Sequence, residues 1–335
     1  MGWPGLYSGQ PMTDQGVILH ITPTPDRALS RASVKFIGAS RSPNTLRAYR
    51  SDFADFQEWA GTWQLASLPA TPETVSGYLS WLASTGEVTA ATIDRRASAI
   101  SEAHKLSHLP SPTSDETVRK TLAGIRRVLG TAPRFQKTAL ATDDLRAMLD
   151  HMELDTLSGL RDRAILLLGF AGGFRRSELV ALDVDDLEET AQGLRVRIRR
   201  SKTDQEGVGR EVGIPFGRHV DTCPVKAWRA WQSAACLLKG PCFRPMNSRG
   251  GVRDRRLTAQ SVALIVKAAA VTAGLEPTSY AGHSLRSGLA TAAAAGGASE
   301  RSIMDQTGHK SLPVVRRYIR RGSLFQDNAA SHTDL

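Results

Sequence analysis

The chain has 335 residues, of which 41% are hydrophobic, and its formal net charge is +10. This length allows two domains with packed cores, and the positive charge favours a phosphate polymer or an anionic membrane as partner. The longest apolar stretches, around residues 164–174 and 288–298, are too short to span a bilayer or to act as a signal peptide. We therefore expect a cytoplasmic protein with no membrane partner. The three cysteines form no Cys-x-x-Cys pair, which indicates neither a disulfide framework nor a zinc site.

The first part of the chain predicts a helical domain. Residues 1–41 are rich in Gly, Pro, Ser and Thr without a sustained period, so we expect a flexible N-terminal arm. Residues 42–130 predict a domain of four helices, the last of which should run from an N-cap at Ser114 to a stop at Gly130. The first of these helices is predicted from apolar residues at three- and four-residue spacing, namely Leu46, Tyr49, Phe53, Phe56 and Trp59.

The second part of the chain predicts a mixed domain. Residues 131–141 contain a proline and basic residues without a period, which is typical of an interdomain linker. Residues 142–322 begin and end with helical patterns, and a hairpin between them is predicted from the alternating residues Leu194, Val196, Ile198, Val212 and Ile214. Residues 323–335 form a short tail. We expect a two-domain, mainly α fold with a small β-sheet in the second domain (an α+β domain).

Two sequence patterns that could indicate other functions lack the context that those functions need. The segment GVGREVG at 207–213 superficially resembles a nucleotide-binding loop, but its glycine spacing is wrong and it lies in the predicted hairpin. His104 and His108 share a predicted helix face, yet no glutamate or third ligand accompanies them. We therefore expect these histidines on a solvated face and predict no metal site.

Four segments carry residues whose chemistry is complementary. Arg175 and Arg286 come from distant segments and could fork onto the oxygens of one phosphate, because guanidinium geometry matches bidentate phosphate binding. Histidines can move protons near neutral pH, a lysine can protonate a leaving alkoxide, and a tyrosine hydroxyl can act as a nucleophile. This set needs no metal ion or other cofactor. The segments are GFRRSEL (173–179), RSKTDQ (200–205), HSLRSG (283–288) and TGHKSLPVVRRYIR (307–320).

The order Arg, Lys, His-x-x-Arg, Gly-His, Tyr resembles the tyrosine recombinase (phage integrase) family, over residues 42 to about 322. Residue by residue, the resemblance implies that the catalytic residues are Arg175, Lys202, His283, Arg286, His309 and Tyr318. It makes Arg176 a bystander and Glu178 the residue that orients Arg175. Thr307 stands where the family usually has an apolar residue, a departure from which we expect no consequence.

The resemblance also implies an activity and a mode of assembly. Members of the family cleave and rejoin duplex DNA through a 3′-phosphotyrosine, without ATP or metal, and act as four protomers on two sites. We therefore expect a DNA clamp, paired inverted core sites, a homotetramer on DNA and a tail that docks on a neighbouring protomer. Contacts with the phosphate backbone are expected from the basic residues Arg119, Lys120, Arg126, Arg127, Arg134, Lys137, Arg316 and Arg317.

Three alternative functions stay open from the sequence. A type IB topoisomerase uses a similar site but reseals the same strand, and a telomere resolvase joins strands into hairpins. A DNA-binding regulator without catalysis could keep the fold, although every catalytic position is filled here. At the level of single residues, Arg175 could simply pair with Glu178 on one helix, and Tyr318 could be a packing residue.

Overall fold

The computed structural model of the protein describes residues 41–132, 137–201, 204 and 207–322. Contacts divide the chain into two compact units, Met1–Phe135 and Gln136–Leu335. The predicted arm before residue 41, the predicted tail, Arg134 and Lys202 lie outside the described residues. No helix in the described ranges is long and apolar enough to cross a membrane.

The described part of the first unit contains four α-helices around one aromatic core. Three of the helices begin at a Ser or Thr whose side-chain oxygen accepts a hydrogen bond from a backbone N–H of the first turn, as N-caps do. Phe56, Tyr78, Leu79, Ile93 and Ile100 are fully buried in the core. The helices are α1 (Pro43–Thr62), α2 (Pro72–Thr85), α3 (Ala90–Leu106) and α4 (Glu116–Leu129).

The N-cap predicted for α4 is wrong by one residue. The N-cap of α4 is Asp115, whose Oδ1 accepts a hydrogen bond of 2.7 Å from the Thr117 N–H, whereas Ser114 ends a preceding 3₁₀ turn. Ser and Asp are about equally good N-caps, so composition could not choose between adjacent residues. Gly130 does end the helix as predicted, at φ +72°.

His104 is buried rather than solvated. Its Nε2 accepts a hydrogen bond of 2.9 Å from the Ala70 N–H, so Nδ1 carries the proton that it donates to the Ile100 carbonyl at 2.9 Å. Both ring nitrogens are therefore satisfied by backbone groups, which makes the burial of the ring tolerable. The histidine joins the loop before α2 to α3 and has a structural role.

The second unit combines helices with a three-stranded antiparallel sheet in the order β1-β2-β3. Val196 of β2 pairs with Leu187 of β1 on one side and with Val212 of β3 on the other. The hairpin β2–β3 was expected, but β1 was not, because its sequence Leu-Glu-Glu-Thr is short and has no apolar alternation. The strands are β1 (Leu187–Thr190), β2 (Gly193–Ile198) and β3 (Arg210–Pro215).

Among the residues that the structure describes, the helices of the second unit surround one large apolar core and one small one. The apolar run Ala164–Leu168 is buried all round, which places its helix at the centre of the large core. The small core is formed by Ala290, Ala294, Ile303, Val315 and Tyr318. The helices are α5 (Thr142–Asp150), α6 (Leu157–Ala171), α7 (Arg176–Ala181), α8 (Pro224–Ala234), α9 (Ala259–Thr272), α10 (Gly282–Ala295), α11 (Glu300–Thr307) and α12 (Leu312–Gly322).

The helix α10 approaches the chain that precedes α5 so closely that only glycine fits at position 288. A Cβ on Gly288 would lie 2.3 Å from the Leu140 carbonyl oxygen and 2.9 Å from a ring carbon of Phe170. The Leu140 N–H also donates to the Ser284 carbonyl at 3.0 Å, so this backbone cannot move away freely. Gly288 therefore fixes α10 against the segment that leads into the second unit.

We expect Gly288→Ala to lower the free energy of unfolding of the second unit by about 2 kcal/mol, because the added methyl overpacks a backbone contact. Gly124→Ala is the matched control, since Gly124 lies within α4 and a Cβ there would meet nothing within 4 Å. The control should be neutral or slightly stabilising. Urea unfolding followed by circular dichroism measures both variants, and equal stabilities would contradict the close contact.

Candidate active site

Arg175 is held at a turn by a buried carboxylate. Gly173, at φ +57°, turns the chain after α6, and Arg175 is the residue that precedes α7. The Glu178 side chain accepts a hydrogen bond of 2.9 Å from the Arg175 N–H and contacts the Arg175 guanidinium at 2.5 Å. Glu178 is only 2% exposed. One carboxylate thus fixes both the backbone and the side chain of Arg175.

Arg286 is the most deeply buried cation of the site, at 1% exposed. Its Nη1 donates to the Gly173 carbonyl at 2.7 Å and also to the Thr307 carbonyl. Its Nη2 is buried and has no hydrogen-bond partner among the described residues. Arg286 therefore ties the turn before Arg175 to the end of α11 and keeps one buried donor without an acceptor.

Arg210 is a third arginine of the site, and the sequence analysis missed it. Its Nη1 donates to the Gln306 carbonyl at 3.1 Å, and its Nη2 lies 3.6 Å from the Glu178 carboxylate. Strand alternation could have found it, because Arg210 shares the register face of the buried residues Val212 and Ile214. A long cation at an inward position of a strand indicates a buried partner or an anion site.

The site carries more buried positive charge than its carboxylate neutralises. Arg175, Arg210 and Arg286 share Glu178 as their acidic neighbour. Burial and the nearby Arg175 charge lower the pKa of Arg286 to about 10. Arg286 therefore stays charged at neutral pH, although its charged form is less stable there than in water. An incoming anion would relieve both the desolvation and the repulsion, so the cluster is suited to bind a phosphate.

Tyr318 lies beside this cluster and contacts His283. The Tyr318 hydroxyl is 2.9 Å from Nε2 of His283, and the Tyr318 side chain is buried in the small core of α10, α11 and α12. Desolvation and the charges of Arg286 and Arg175 lower the pKa of His283. His283 is therefore neutral at pH 7, and its Nε2 can accept the proton of the tyrosine hydroxyl.

His309 completes the cluster from the loop after α11. Its Nδ1 lies 2.7 Å from the Thr307 hydroxyl oxygen, and its ring centroid is 5.8 Å from that of Tyr318. Burial, followed by the charges of Arg286 and Arg175, lowers the pKa of His309 to about 3. The departure at Thr307 thus has a visible consequence, because it puts a hydroxyl against a site histidine.

The structure therefore brings together six of the residues that the sequence analysis assigned to the site, namely Arg175, Glu178, His283, Arg286, His309 and Tyr318. Lys202, the seventh, lies outside the described residues. Within the ranges that the structure covers, no group of three or more His, Cys, Asp or Glu could hold a metal ion.

Comparisons with known proteins agree on one family. The model of the phage integrase family matches residues 138–323, and the model of the N-terminal SAM-like domain of phage integrases matches residues 36–107. The integrase/recombinase XerD homolog of Selenomonas ruminantium is 41% identical over 304 residues, which cover 90% of this chain and 88% of that protein. This chain belongs to the phage integrase family. It is a tyrosine recombinase, an enzyme that cleaves and rejoins DNA.

Further comparisons are consistent with this membership. Tyrosine recombinase XerC of Myxococcus xanthus is 31% identical to the recombinase over 288 residues, which cover 83% of this chain and 87% of that protein. The crystal structure of the XerH site-specific recombinase bound to palindromic difH substrate has the same fold, with a TM-score of 0.61 at 20% identity. That match covers 90% of this chain and 83% of the XerH chain.

The residues predicted to contact DNA are distributed over both units of the recombinase. Lys120 pairs with Glu116 at 2.9 Å, and Arg126 pairs with Asp94 at 2.7 Å, so each already holds an ion pair on the surface. In the second unit, Lys137 donates to the Thr278 carbonyl and Arg316 pairs with Glu300. The side chains of Arg119, Arg127 and Arg317 are exposed, and none of them forms an ion pair with another described residue. Contact of these residues with DNA stays a prediction.

We expect His309 to make the stability of the DNA-free recombinase depend on acid. The unfolded chain takes up a proton at His309 near pH 6.5, whereas the folded chain does so only near pH 3. The unfolded state therefore binds more protons between these values, and the free energy of unfolding falls as the pH is lowered through this interval. His309→Gln should show a shallower fall. Parallel stability curves for the two proteins, measured by urea unfolding at several pH values, would contradict the lowered pKa.

Proposed function

We propose that this recombinase cleaves duplex DNA by attack of the Tyr318 oxygen on a phosphodiester. The bond between the tyrosine oxygen and phosphorus forms while the bond from phosphorus to the 5′ oxygen breaks, which leaves a 3′-phosphotyrosine and a 5′-hydroxyl. The observation that carries this proposal is the 2.9 Å contact between the Tyr318 hydroxyl and Nε2 of His283 beside the arginine cluster. His283 would accept the tyrosine proton, since its lowered pKa keeps it neutral.

Arg175 and Arg286 would bind the non-bridging oxygens of the scissile phosphate. Two preorganised guanidinium groups stabilise the charge that develops on these oxygens in the transition state. The buried Nη2 of Arg286, which has no partner in the described parts of the chain, supports this role because a phosphate oxygen would satisfy it. We further propose, on the family resemblance, that His309 contacts the phosphate and that Lys202 protonates the leaving 5′ oxygen.

Rejoining would reverse the same step with a hydroxyl from a partner strand. The number of phosphodiester bonds is conserved, so neither ATP nor a metal ion is part of the proposed reaction. The relatives are recombinases of bacteria, which favours strand exchange in the cytoplasm over the topoisomerase, resolvase and regulator alternatives.

Assembly on DNA is the second part of the proposal. A solved lambda integrase forms a tetramer bound to a Holliday junction, and its chain has the same fold, with a TM-score of 0.55 at 18% identity. We propose that four copies of this recombinase act on paired inverted core sites. In each copy, domains 42–130 and 142–322 would clamp the duplex, joined by the linker 131–141. The tail 323–335 would dock on a neighbouring protomer.

We expect Tyr318→Phe to bind DNA but never to become covalently attached to it, because only the missing oxygen can form the ester. A suicide substrate with a nick near the cleavage site traps the covalent complex of the wild-type protein on a denaturing gel. A gel-shift assay of the same variant serves as the control for binding. A covalent band from Tyr318→Phe would assign the nucleophile to another residue.

We expect Arg175→Lys and Arg286→Lys each to lower the cleavage rate about 100- to 1,000-fold, as the loss of one oxyanion donor does, because lysine cannot donate two parallel hydrogen bonds. Arg176→Lys is the matched control, since Arg176 is the exposed neighbour of Arg175 in the same segment. Single-turnover cleavage at saturating DNA measures all three variants. Cleavage by Arg175→Lys or Arg286→Lys at the rate of the control would remove that arginine from the phosphate site.

A further inference from the structure

Thr307 forms the middle of a short chain of hydrogen bonds that ends on His309. Its hydroxyl oxygen lies 2.6 Å from the Ile303 carbonyl oxygen, one helical turn earlier in α11. The same oxygen lies 2.7 Å from Nδ1 of His309. Thr307 is fully buried, so water does not compete for these contacts. The three groups are therefore satisfied by one another.

The positions of the protons in this chain follow from the carbonyl group. A carbonyl oxygen can only accept, and two oxygens 2.6 Å apart repel each other unless a proton lies between them. The Thr307 hydroxyl must therefore donate to Ile303, which leaves its oxygen as an acceptor. The partner of that acceptor is then an N–H group at Nδ1 of His309, so the neutral ring carries its proton on Nδ1 and a lone pair on Nε2.

We propose that Thr307 is a positioning residue, which holds the His309 ring in the Nδ1–H tautomer and directs Nε2 into the arginine cluster. This inference rests on the proposed function of His309 at the scissile phosphate: with Nδ1–H held by Thr307, Nε2 is the atom that takes up a proton when the anion binds, and Nε2–H can then donate to a phosphate oxygen. Other charged or titratable groups that act on the ring are Arg175, Arg210, His283 and Arg286. None of them bonds to Nδ1 in the described structure, so the Thr307 hydroxyl is what fixes this nitrogen.

An apolar residue at position 307 could not do this. It would leave a partly buried Nδ1–H without an acceptor, and the ring could then flip or change its tautomer. The Thr307 backbone has a separate task, because its carbonyl accepts from Arg286 and Arg210 whatever the side chain is. Substitution of the side chain therefore tests the contact with His309 without removing an acceptor of the arginines.

Thr307→Val tests the proposal, because it replaces the hydroxyl by a methyl of similar size. In the DNA-free protein at neutral pH, ¹⁵N spectra of the histidine rings should show Nδ1–H for His309 in the wild type and a mixture of tautomers in Thr307→Val. The His309 signal is assigned by its loss in His309→Ala. Thr307→Ser, which keeps the hydroxyl, should restore the wild-type spectrum.

Cleavage of the suicide substrate gives the second readout. We expect Thr307→Val to cleave about tenfold more slowly than wild type, the effect of one buried donor without a partner, and Thr307→Ser to be within about twofold. In a His309→Ala background, Thr307→Val should have no further effect, because Thr307 acts through His309. If Thr307→Val fails to fold, as judged by its thermal unfolding, Thr307→Ala allows the same comparison.

The outcomes separate the two proposals. An unchanged tautomer in Thr307→Val would overturn the positioning role, and so would an equal loss of cleavage with and without His309, which indicates a purely structural residue. Wild-type cleavage by His309→Ala would instead contradict the proposed function of His309, while the ring spectra would still report whether Thr307 controls the tautomer.

Discussion

The excess of buried guanidinium charge is the constraint on which the rest of the site depends. Arg175, Arg210 and Arg286 lie around one carboxylate, Glu178, and burying such groups costs free energy unless acceptors compensate them. Backbone carbonyls at Gly173, Gln306 and Thr307 supply part of this compensation. The remainder is left for a ligand. Burial, followed by the same charges, lowers the pKa values of His283 and His309, so the histidines are neutral until an anion arrives.

The C-terminal end of α11 is where these requirements meet. Unpaired carbonyls at a helix C-terminus attract cations, and here they accept from Arg210 and Arg286. The helix stops at Gly308, whose φ of +65° suits glycine, and a Cβ there would lie 2.6 Å from Nε of Arg210. Glycine thus serves both the backbone turn and the close approach of an arginine. Because Arg210 and Arg286 hold the end of α11, the next residue, His309, is positioned in the site.

Sequence reasoning could predict those features that depend on local pattern. The capped helices of the first unit and the hairpin β2–β3 follow from caps and periodicity. The assignment of Arg175, His283 and Tyr318 to one site follows from the order of residue types along the chain, which resembles the family. What could not be predicted depends on distant partners: β1 is defined by pairing with β2, and the burial of His104 is defined by the Ala70 N–H. Arg210 stands between the two classes, because strand alternation marks it as inward-facing but its partners Glu178 and Gln306 are distant in sequence. The contact of Thr307 with His309 joins residues two apart, but it depends on how the chain turns at Gly308.

The arginines and the tyrosine of the proposed reaction lie on elements that are packed to different extents. Arg175 and Arg286 are fixed by backbone carbonyls, by Glu178 and by the main core behind α6, so their positions are set before DNA binds. Tyr318 is on α12, whose fully buried residues among the described side chains are Val315 and Tyr318 in the small core, with Val314 and Ile319 partly buried against it. Because the free energy of local opening follows the apolar surface that an element buries, α12 should separate from the unit more readily than α10 does. In the proposed reaction, a rigid phosphate site combined with a less firmly packed tyrosine would allow Tyr318 to move with the DNA strand to which it becomes joined, while the arginine charges would stay in place.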